Sequence, residues 1–420
     1  MATVLDLRRT DDPRDSVHRT VESLAKGHVV AIPTETVYGL AADALNPVAV
    51  ARLAAIKGRS PQSPLVLAMR SSDEILDYVC TWSSLAQRLA RRCMPGPLTL
   101  VTPCGGDDSL VSRLPDPVRR WIIGDSQCVG FRVVDHPVIV QLHQYLRGPL
   151  VLTSANLTKK NPLTLGDEVV EQFGETLPLI LNDGPTRYGG ASTVVRVIGN
   201  QYEILRHGAI EAAAMNDFAK PLIVLVCTGN TCRSPMAEGL LKHKLANAGQ
   251  AWSGVNVLSA GVAASEGAMA SQEAVDVMDA KGIDIACHES RPLSDAIMHR
   301  ADIVLTMTRG HRAAILAAWP EMSDRVFTLR PDGGDIADPV GGSVELYEQC
   351  ARQIEESLDS WFSRLSDTFL PQRVDSASGL QRIDPDDGQL SPPKFHKGGP
   401  LGGQKSAFDE ESPDNDEGIA

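Results

Sequence analysis

The 420-residue chain is short of several things. Aromatic residues make up only 5%, and acidic side chains outnumber basic ones, 53 to 40, for a formal charge of −13. That balance leaves no global basic footprint for nucleic acid. The eight cysteines, Cys80, Cys93, Cys104, Cys128, Cys227, Cys232, Cys287 and Cys350, are spread too thinly for a disulfide framework and point to a reducing compartment. Apolar runs such as 222–227 are far too short to span a bilayer, and the first fifteen residues carry charges where a secretory signal needs an apolar stretch. The expectation is a soluble, cytoplasmic protein with no membrane partner. What is present, 43% hydrophobic and 22% charged residues, is ordinary globular material, and the length calls for two or three domains.

Charge divides unevenly. Residues 1–212 hold 22 basic and 22 acidic side chains, residues 213–369 hold 13 and 21, and residues 370–420 hold 5 and 10. Six prolines, seven glycines and runs such as DEESPDNDEG leave the last segment unable to bury enough surface to offset its ordering entropy, so 369–420 reads as a disordered acidic tail. Residues 1–212 alternate β-branched runs with helical patterns. Asp15 or Ser16 is placed to cap a helix closing at Gly27, and Asn46-Pro47 to start another. Strands are expected at 29–32, 65–69, 98–102, 128–134, 150–153, 179–181, 193–198 and 202–205, seven or eight in one α/β domain. Residues 213–219 read as a linker or a helix-to-linker junction. Residues 220–368 alternate strand and helix again, from a buried-type strand at 222–226 to a long closing helix at about 343–365, as in a doubly wound parallel sheet.

The strongest local signal is VCTGNTCRSPMAE, where Cys227 precedes Arg233 by six positions between a strand and a helix. The loop Thr228, Gly229, Asn230, Thr231, Cys232 can turn its N–H groups inward, and the helix start, with Ser234 as its cap, adds a positive end, so a phosphoryl group is cradled without a metal. The same field favours the nucleophilic thiolate of Cys227, and Ser234 can donate to it. Arg233 can hold two phosphoryl oxygens at once. A proton donor is still needed, and Asp338 of Asp338-Pro339 is the first choice with Asp335 as runner-up. Cys232 is close enough in sequence to form a reversible, protective disulfide with Cys227, or else is a small buried residue.

These residues, with SAG at 259–261, HESRPL at 288–293 and ADIVLTMT at 301–308, resemble the low-molecular-weight protein phosphatase family over all of 220–368. The resemblance implies that Cys227 forms a phosphocysteine, Arg233 binds the phosphoryl group and Asp338 acts as acid and then base, with no cofactor. Phosphotyrosine-directed members carry aromatics after Asp-Pro, where this chain has Val340, Gly341 and Gly342. Thr231 is similar to the protein-arginine-phosphatase branch, although that branch has Phe where this chain has Val340.

The first domain has no Walker-type loop, G-x-G-x-x-G fingerprint or His/Cys metal spacing, and no metal-ligating side chain is assigned. Its polar residues cluster in three loops: PTETVYGLAAD after a strand, KGRSPQSPLVL from Lys57, and TSAN at 153–156 after another strand. Lys57 and Arg59 can neutralise a triphosphate, and Ser154 and Asn156 can hydrogen-bond phosphate or ribose. With PGPLT, FRVVDHP, ASTV and ILRHG, this co-linear set over roughly 8–210 resembles the YrdC family of threonylcarbamoyl-adenylate synthases. The resemblance implies a twisted open mixed sheet with helices, L-threonine held by Thr36, Arg132, Ser154 and Ser192, and ATP, with Mg2+, held by Lys57, Arg59, Ser63, Asn156, Thr164 and Arg206. Ala68 stands where many relatives have a histidine. The implied reaction joins L-threonine, bicarbonate and ATP and releases pyrophosphate, the product passing to the threonylcarbamoyl-transferase machinery that acts on tRNA. The expected whole is a bifunctional enzyme, synthase plus phosphatase of phosphoproteins. The alternatives are a YrdC-like part that only binds RNA or nucleotide, against which its neutral charge speaks, and a degenerate phosphatase scaffold, against which Cys227, Arg233 and Asp338 speak.

Overall fold

The computed structural model describes residues 1–369 apart from 11, 61–62, 80–81, 107, 124–126 and 158–159. The expected acidic tail lies outside the described residues from position 370 onward.

In the first half the elements run β1 (Thr3–Asp6), α1 (Pro13–Ala25), β2 (Val30–Ile32), β3 (Gly39–Asp43), α2 (Pro47–Lys57), β4 (Val66–Ala68), α3 (Ile75–Tyr78), α4 (Ser84–Cys93), β5 (Leu98–Pro103) and α5 (Asp116–Ile122). They continue with β6 (Cys128–Arg132), α6 (Pro137–Tyr145), β7 (Leu150–Ser154), α7 (Gly166–Phe173), β8 (Leu179–Asn182), β9 (Thr193–Ile198), β10 (Gln201–Arg206) and α8 (Ala212–Ala219). The strands form one mixed ten-stranded sheet in the order β1-β8-β2-β3-β7-β4-β6-β5-β9-β10. Two strands more than the seven or eight expected are present. β1, TVLD, is a four-residue edge strand too short to stand out, and β3, GLAAD, has no β-branched residue and so lacks the composition that marks a strand.

Helix starts obey local capping. Asp12, not Asp15 or Ser16, caps α1, its side chain accepting from the Arg14 N–H, because Pro13 fits the first turn, where its missing donor is not needed. Asn46 accepts from the N–H groups of Val48 and Ala49 and starts α2 at Pro47 as read. The stretch between the halves is helical: α8 occupies it and buries Met215.

The second half holds β11 (Leu222–Cys227), α9 (Arg233–Asn247), β12 (Asn256–Gly261), α10 (Gln272–Asp279), α11 (Asp295–Arg300), β13 (Ile303–Thr306), α12 (Arg309–Ala318), β14 (Val326–Thr328) and α13 (Val344–Phe369). Its four strands are parallel in the order β12-β11-β13-β14. Every residue of β11 is buried, as a strand covered on both faces requires. Ile223, Leu225 and Cys227 pack with α9, α10 and α13, while Leu222, Val224 and Val226 pack with α11 and α12. α13 runs on through Phe369, which is buried, so the helix takes in the first position assigned to the tail.

Three arginines of α4 join the halves. Arg88 Nε, Arg91 Nη2 and Arg92 Nη2 donate to the Asp302 carboxylate at 3.0, 2.5 and 2.8 Å, in front of β13. Arg88 and Arg92 also donate to the Phe218, Ala219 and Lys220 carbonyls at the C-terminal, negative end of α8.

Candidate functional site

One face of the ten-stranded sheet is half covered. Ala41, Ala68, Leu150 and their neighbours pack beneath Val17 and Leu24 of α1 and Val138, Ile139 and Leu142 of α6. Two residues further along the same strands, on the same face by alternation, Gly39, Val66, Leu152 and Gly130 line an open cavity of about 390 Å³. Glycine shapes its floor: a Cβ at Gly39 would meet Leu152 Cδ1 at 2.6 Å, and one at Gly130 would lie 3.4 Å from Val66. Val37, Val101 and Val194 complete an apolar surface, and Arg59, Arg132, Arg196 and Arg206 border it.

The cavity is electrostatically strained toward an anion. Lys57 Nζ, buried at the end of α2, donates to the Ser154 and Asn156 carbonyls at 2.7 and 2.6 Å and to the Asn156 side-chain oxygen. Burial, with Arg59 nearby, pushes the Lys57 ammonium down to about 8. Burial also lowers Arg59 and Arg206, helped by Arg206 and Arg132 respectively, so the cations repel one another. Arg196 is paired with Glu203 at 2.5 Å, and Arg132 Nη2 with Glu35 Oε1 at 2.7 Å. Arg132 Nη2 also donates to Thr36 Oγ1. The Arg132 Nε and Thr153 Oγ1 are buried with no protein hydrogen-bond partner. An anion with further acceptors would satisfy both deficits.

Of the ten residues expected here, Arg59, Arg132, Ser154, Ser192 and Arg206 line the cavity. Arg206 donates to Ser192 Oγ at 2.9 Å. Lys57, Asn156 and Thr36 stand one hydrogen bond behind that lining. Ser63 and Thr164 are outside it: Ser63 is exposed and offers its carbonyl to Arg59, and Thr164 offers its carbonyl to the Thr186 N–H. Sequence reasoning missed Glu35, although it lies inside the quoted PTET run. Its side chain is fully buried, which nothing in the pattern announces.

In the second half the loop after β11 wraps Cys227. The Cys227 Sγ lies 2.9 Å from Ser234 Oγ and accepts from the Asn230 N–H at 3.2 Å. Asn230 adopts φ 56°, a left-handed conformation that asparagine tolerates better than most residues, and its side chain is held from three sides. Its Nδ2 donates to Ser234 Oγ and Ser259 Oγ, and its Oδ1 accepts from the Arg291 N–H. The cap position of α9 is taken by Cys232, whose side chain makes no capping hydrogen bond, and Ser234 lies inside the first turn with its hydroxyl at the thiol instead. Close approach of SAG to the loop requires glycine: a Cβ at Gly261 would fall 2.4 Å from the Thr228 carbonyl oxygen. Arg233 Nη2 donates to Asp338 Oδ2 at 2.5 Å. Asp335 is engaged by the Arg309 N–H and Nε, so of the two acid candidates only Asp338 meets Arg233. Cys227 and Cys232 are both free thiols, and Cys232 Sγ lies 3.5 Å from the Tyr347 hydroxyl.

Comparison with known proteins accounts for both halves. The Sua5/YciO/YrdC family model, described as telomere recombination, matches residues 22–208, and the low molecular weight phosphotyrosine protein phosphatase model matches residues 222–369. The chain is 34% identical to the threonylcarbamoyl-AMP synthase of Klebsiella pneumoniae over 176 residues, 41% of this chain and 86% of that protein. It is 44% identical to the protein-arginine-phosphatase of Bacillus subtilis over 140 residues, 32% of this chain and 91% of that protein. The crystal structure of a low molecular weight protein tyrosine phosphatase from T. tengcongensis is 37% identical, with 35% of this chain and all of that chain covered at a TM-score of 0.33. The chain belongs to both families. It carries a YrdC-family domain followed by a low-molecular-weight phosphatase domain.

The phosphatase domain adds one residue that the motif did not flag. His311, in the first turn of α12, is buried with its Nε2 2.8 Å from Thr228 Oγ1, beside the Cys227 loop. Burial lowers its pKa, with Arg233 adding to the effect and Asp338 and Asp335 opposing it. In the unfolded chain this imidazole takes up its proton near 6.5, while in the folded domain it resists, so stability is retained above that pH and lost as pH falls below it. His311→Gln should flatten the drop in Tm between about pH 7 and pH 5. An unchanged Tm profile would show that His311 is not a source of acid sensitivity.

Proposed function

We propose that the chain is a bifunctional enzyme. The YrdC-family domain makes L-threonylcarbamoyladenylate, and the phosphatase domain hydrolyses phosphorylated protein side chains through Cys227. The observation that carries the first reading is the apolar-floored cavity bordered by four guanidinium groups with Lys57 behind them. Arg132 takes the carboxylate of L-threonine, whose amine condenses with bicarbonate to a carbamate with loss of water. A carbamate oxygen then attacks the α-phosphorus of ATP, the bond to the bridging oxygen breaks, and pyrophosphate leaves. Arg59, Arg206 and Lys57 stabilise the charge that builds on the phosphates. Among the described residues no group of three or more His, Cys, Asp or Glu is placed to hold a metal, and the cavity border is cationic. Magnesium fits here only as a passenger on the nucleotide's own phosphates, neutralising their charge. The product is handed to the tRNA-modifying transferase machinery.

In the phosphatase domain Cys227 Sγ attacks phosphorus while Arg233 holds the phosphoryl oxygens. Because Asp338 rests on Arg233, an arriving phosphoryl group displaces it; the freed carboxylate takes up a proton from solvent and delivers it to the leaving group as the bond from phosphorus to that group breaks and the bond to sulfur forms. Asp338 then takes a proton from the water that hydrolyses the phosphocysteine. Thr231 and the 44% identity to the Bacillus subtilis protein favour phosphoarginine over phosphotyrosine. Paired phosphoarginine and phosphotyrosine peptides test that choice, and a kcat/KM favouring phosphotyrosine refutes it.

For the synthase, the test is threonine-dependent release of pyrophosphate from ATP with labelled bicarbonate. Lys57→Ala should lower kcat/KM by roughly 10²–10³, the scale for losing one preorganised charge in a dry site. Since Lys57 loses its proton near 8 in the free protein, ATP affinity should weaken as pH rises through about 8 in wild type. A Lys57→Ala protein with wild-type activity defeats the reading.

A further inference from the structure

Between residues 220 and 369 the exposed large apolar side chains are Val262, Met269, Val340, Val344 and Leu346. All five are tied to the Cys227 loop. The Val262 N–H donates to the Cys227 carbonyl at 3.0 Å, and Met269 stands two residues before Ser271, whose N–H donates to the Thr231 carbonyl at 2.8 Å. The Val340 N–H donates to Asp338 Oδ1 at 3.3 Å. Val344 and Leu346 occupy the first turn of α13, whose Tyr347 hydroxyl touches Cys232, and Leu346 lies across Gly342, leaving no room there for a Cβ. The rest of the domain keeps its large apolar side chains at least partly buried. Met269 at 69% and Val340 at 66% face solvent almost fully.

Aliphatic side chains gathered in one place on an otherwise well-packed surface mark a binding surface. What covers this one is set by its centre. The five lie within a few residues, or one hydrogen bond, of the Cys227 loop or of Asp338, which meets Arg233, so an occupant that brings a phosphoryl group to Cys227 and Arg233 carries its neighbouring residues past them. Valine, leucine and methionine offer burial and dispersion but no ion pair, and methionine adapts to varied shapes.

We propose that this aliphatic collar binds apolar side chains on either side of the phosphorylated residue, making aliphatic-flanked phosphopolypeptide segments the preferred substrates. The proposal rests on the phosphatase reading of Cys227. It goes beyond that reading by naming the sequence context of the substrate.

The test uses the full chain and three probes: para-nitrophenyl phosphate and two phosphopeptides with one shared phosphorylated residue, flanked by Leu and Val or by Asp and Ser. Wild type should favour the aliphatic peptide about tenfold in kcat/KM, mostly through KM, as burial of roughly 55 Å² of apolar surface predicts. Met269→Asn and Val344→Asn should each cut that preference to about threefold or less, with aryl phosphate turnover within twofold of wild type. Equal use of both peptides by wild type, with aryl phosphate turnover intact, overturns the collar alone. Variants that keep the tenfold preference also overturn it. No turnover of any probe removes the phosphatase reading and the collar with it.

Discussion

Cys227→Ser is expected to lower phosphatase kcat by roughly 10⁴-fold or more, the scale seen when a covalent nucleophile is removed. Serine preserves the geometry, because Ser234 Oγ and the Asn230 N–H already hold the atom at position 227. It does not preserve the chemistry, since a hydroxyl is hardly ionised where a thiol readily becomes a thiolate. Inorganic phosphate should therefore still inhibit binding-based readouts with a Ki within about threefold of wild type, because the loop N–H groups and Arg233 are untouched. Threonine-dependent pyrophosphate release should be unchanged, since no atom of the YrdC-family cavity belongs to the Cys227 loop. Phosphatase turnover that survives the substitution would remove Cys227 as the nucleophile. Loss of phosphate binding together with turnover would mean the loop had collapsed, and Cys227→Ala would then give the same result without a hydroxyl to misplace.

Both folds were largely legible because their signals are local. Cys227 through Ser234 is contiguous, and a strand running into an anion-cradling loop and a helix is one supersecondary unit. What could not be read depends on contacts between distant segments. Glu35 looks like a polar loop residue until β6 brings Arg132 against it, 97 positions away. Strand β3 escapes a propensity reading because Gly39, Ala41 and Ala42 are chosen for a crowded interior and a cavity floor rather than for β preference. Ser234 reads as a helix cap because serine usually is one, yet the thiol of Cys227 competes for its hydroxyl and Cys232 takes the cap position. Residues 213–219 read as a linker or a helix-to-linker junction from alanine and polar content alone, which leaves open where the helix docks. Helix α8 forms there, and Arg88 and Arg92 reach its last carbonyls from α4, more than 120 positions earlier.

The largest stability effect is expected from Asp302→Ala, a loss of roughly 3–5 kcal/mol in chemical denaturation of the full chain, the range for breaking a buried ion pair from one side. Asp302 is a residue of the ADIVLTMT run, where sequence alone gave it no partner. In the structure its two oxygens face Arg88, Arg91 and Arg92 and also accept from the Leu222 N–H at 2.8 Å. Arg92 is 1% exposed and Arg88 3%, so solvent cannot replace the carboxylate when it is removed. Burial already pushes Arg92 down to about 10, with Asp302 opposing that shift, and it lowers Arg88 in the same way. Without Asp302 the guanidinium groups keep only the Phe218, Ala219, Lys220 and Arg300 carbonyls and repel each other across a dry contact. Asp302→Asn should cost about half as much, because one oxygen still accepts while the charge is gone. Charge, rather than lost volume, is separable by a second substitution: adding Arg92→Met to Asp302→Ala should recover part of the loss, because it removes a stranded cation along with its missing partner. If Asp302→Ala stays within 1 kcal/mol of wild type, the arginines are held by the carbonyls of α8, and Asp302 is incidental to joining the two domains.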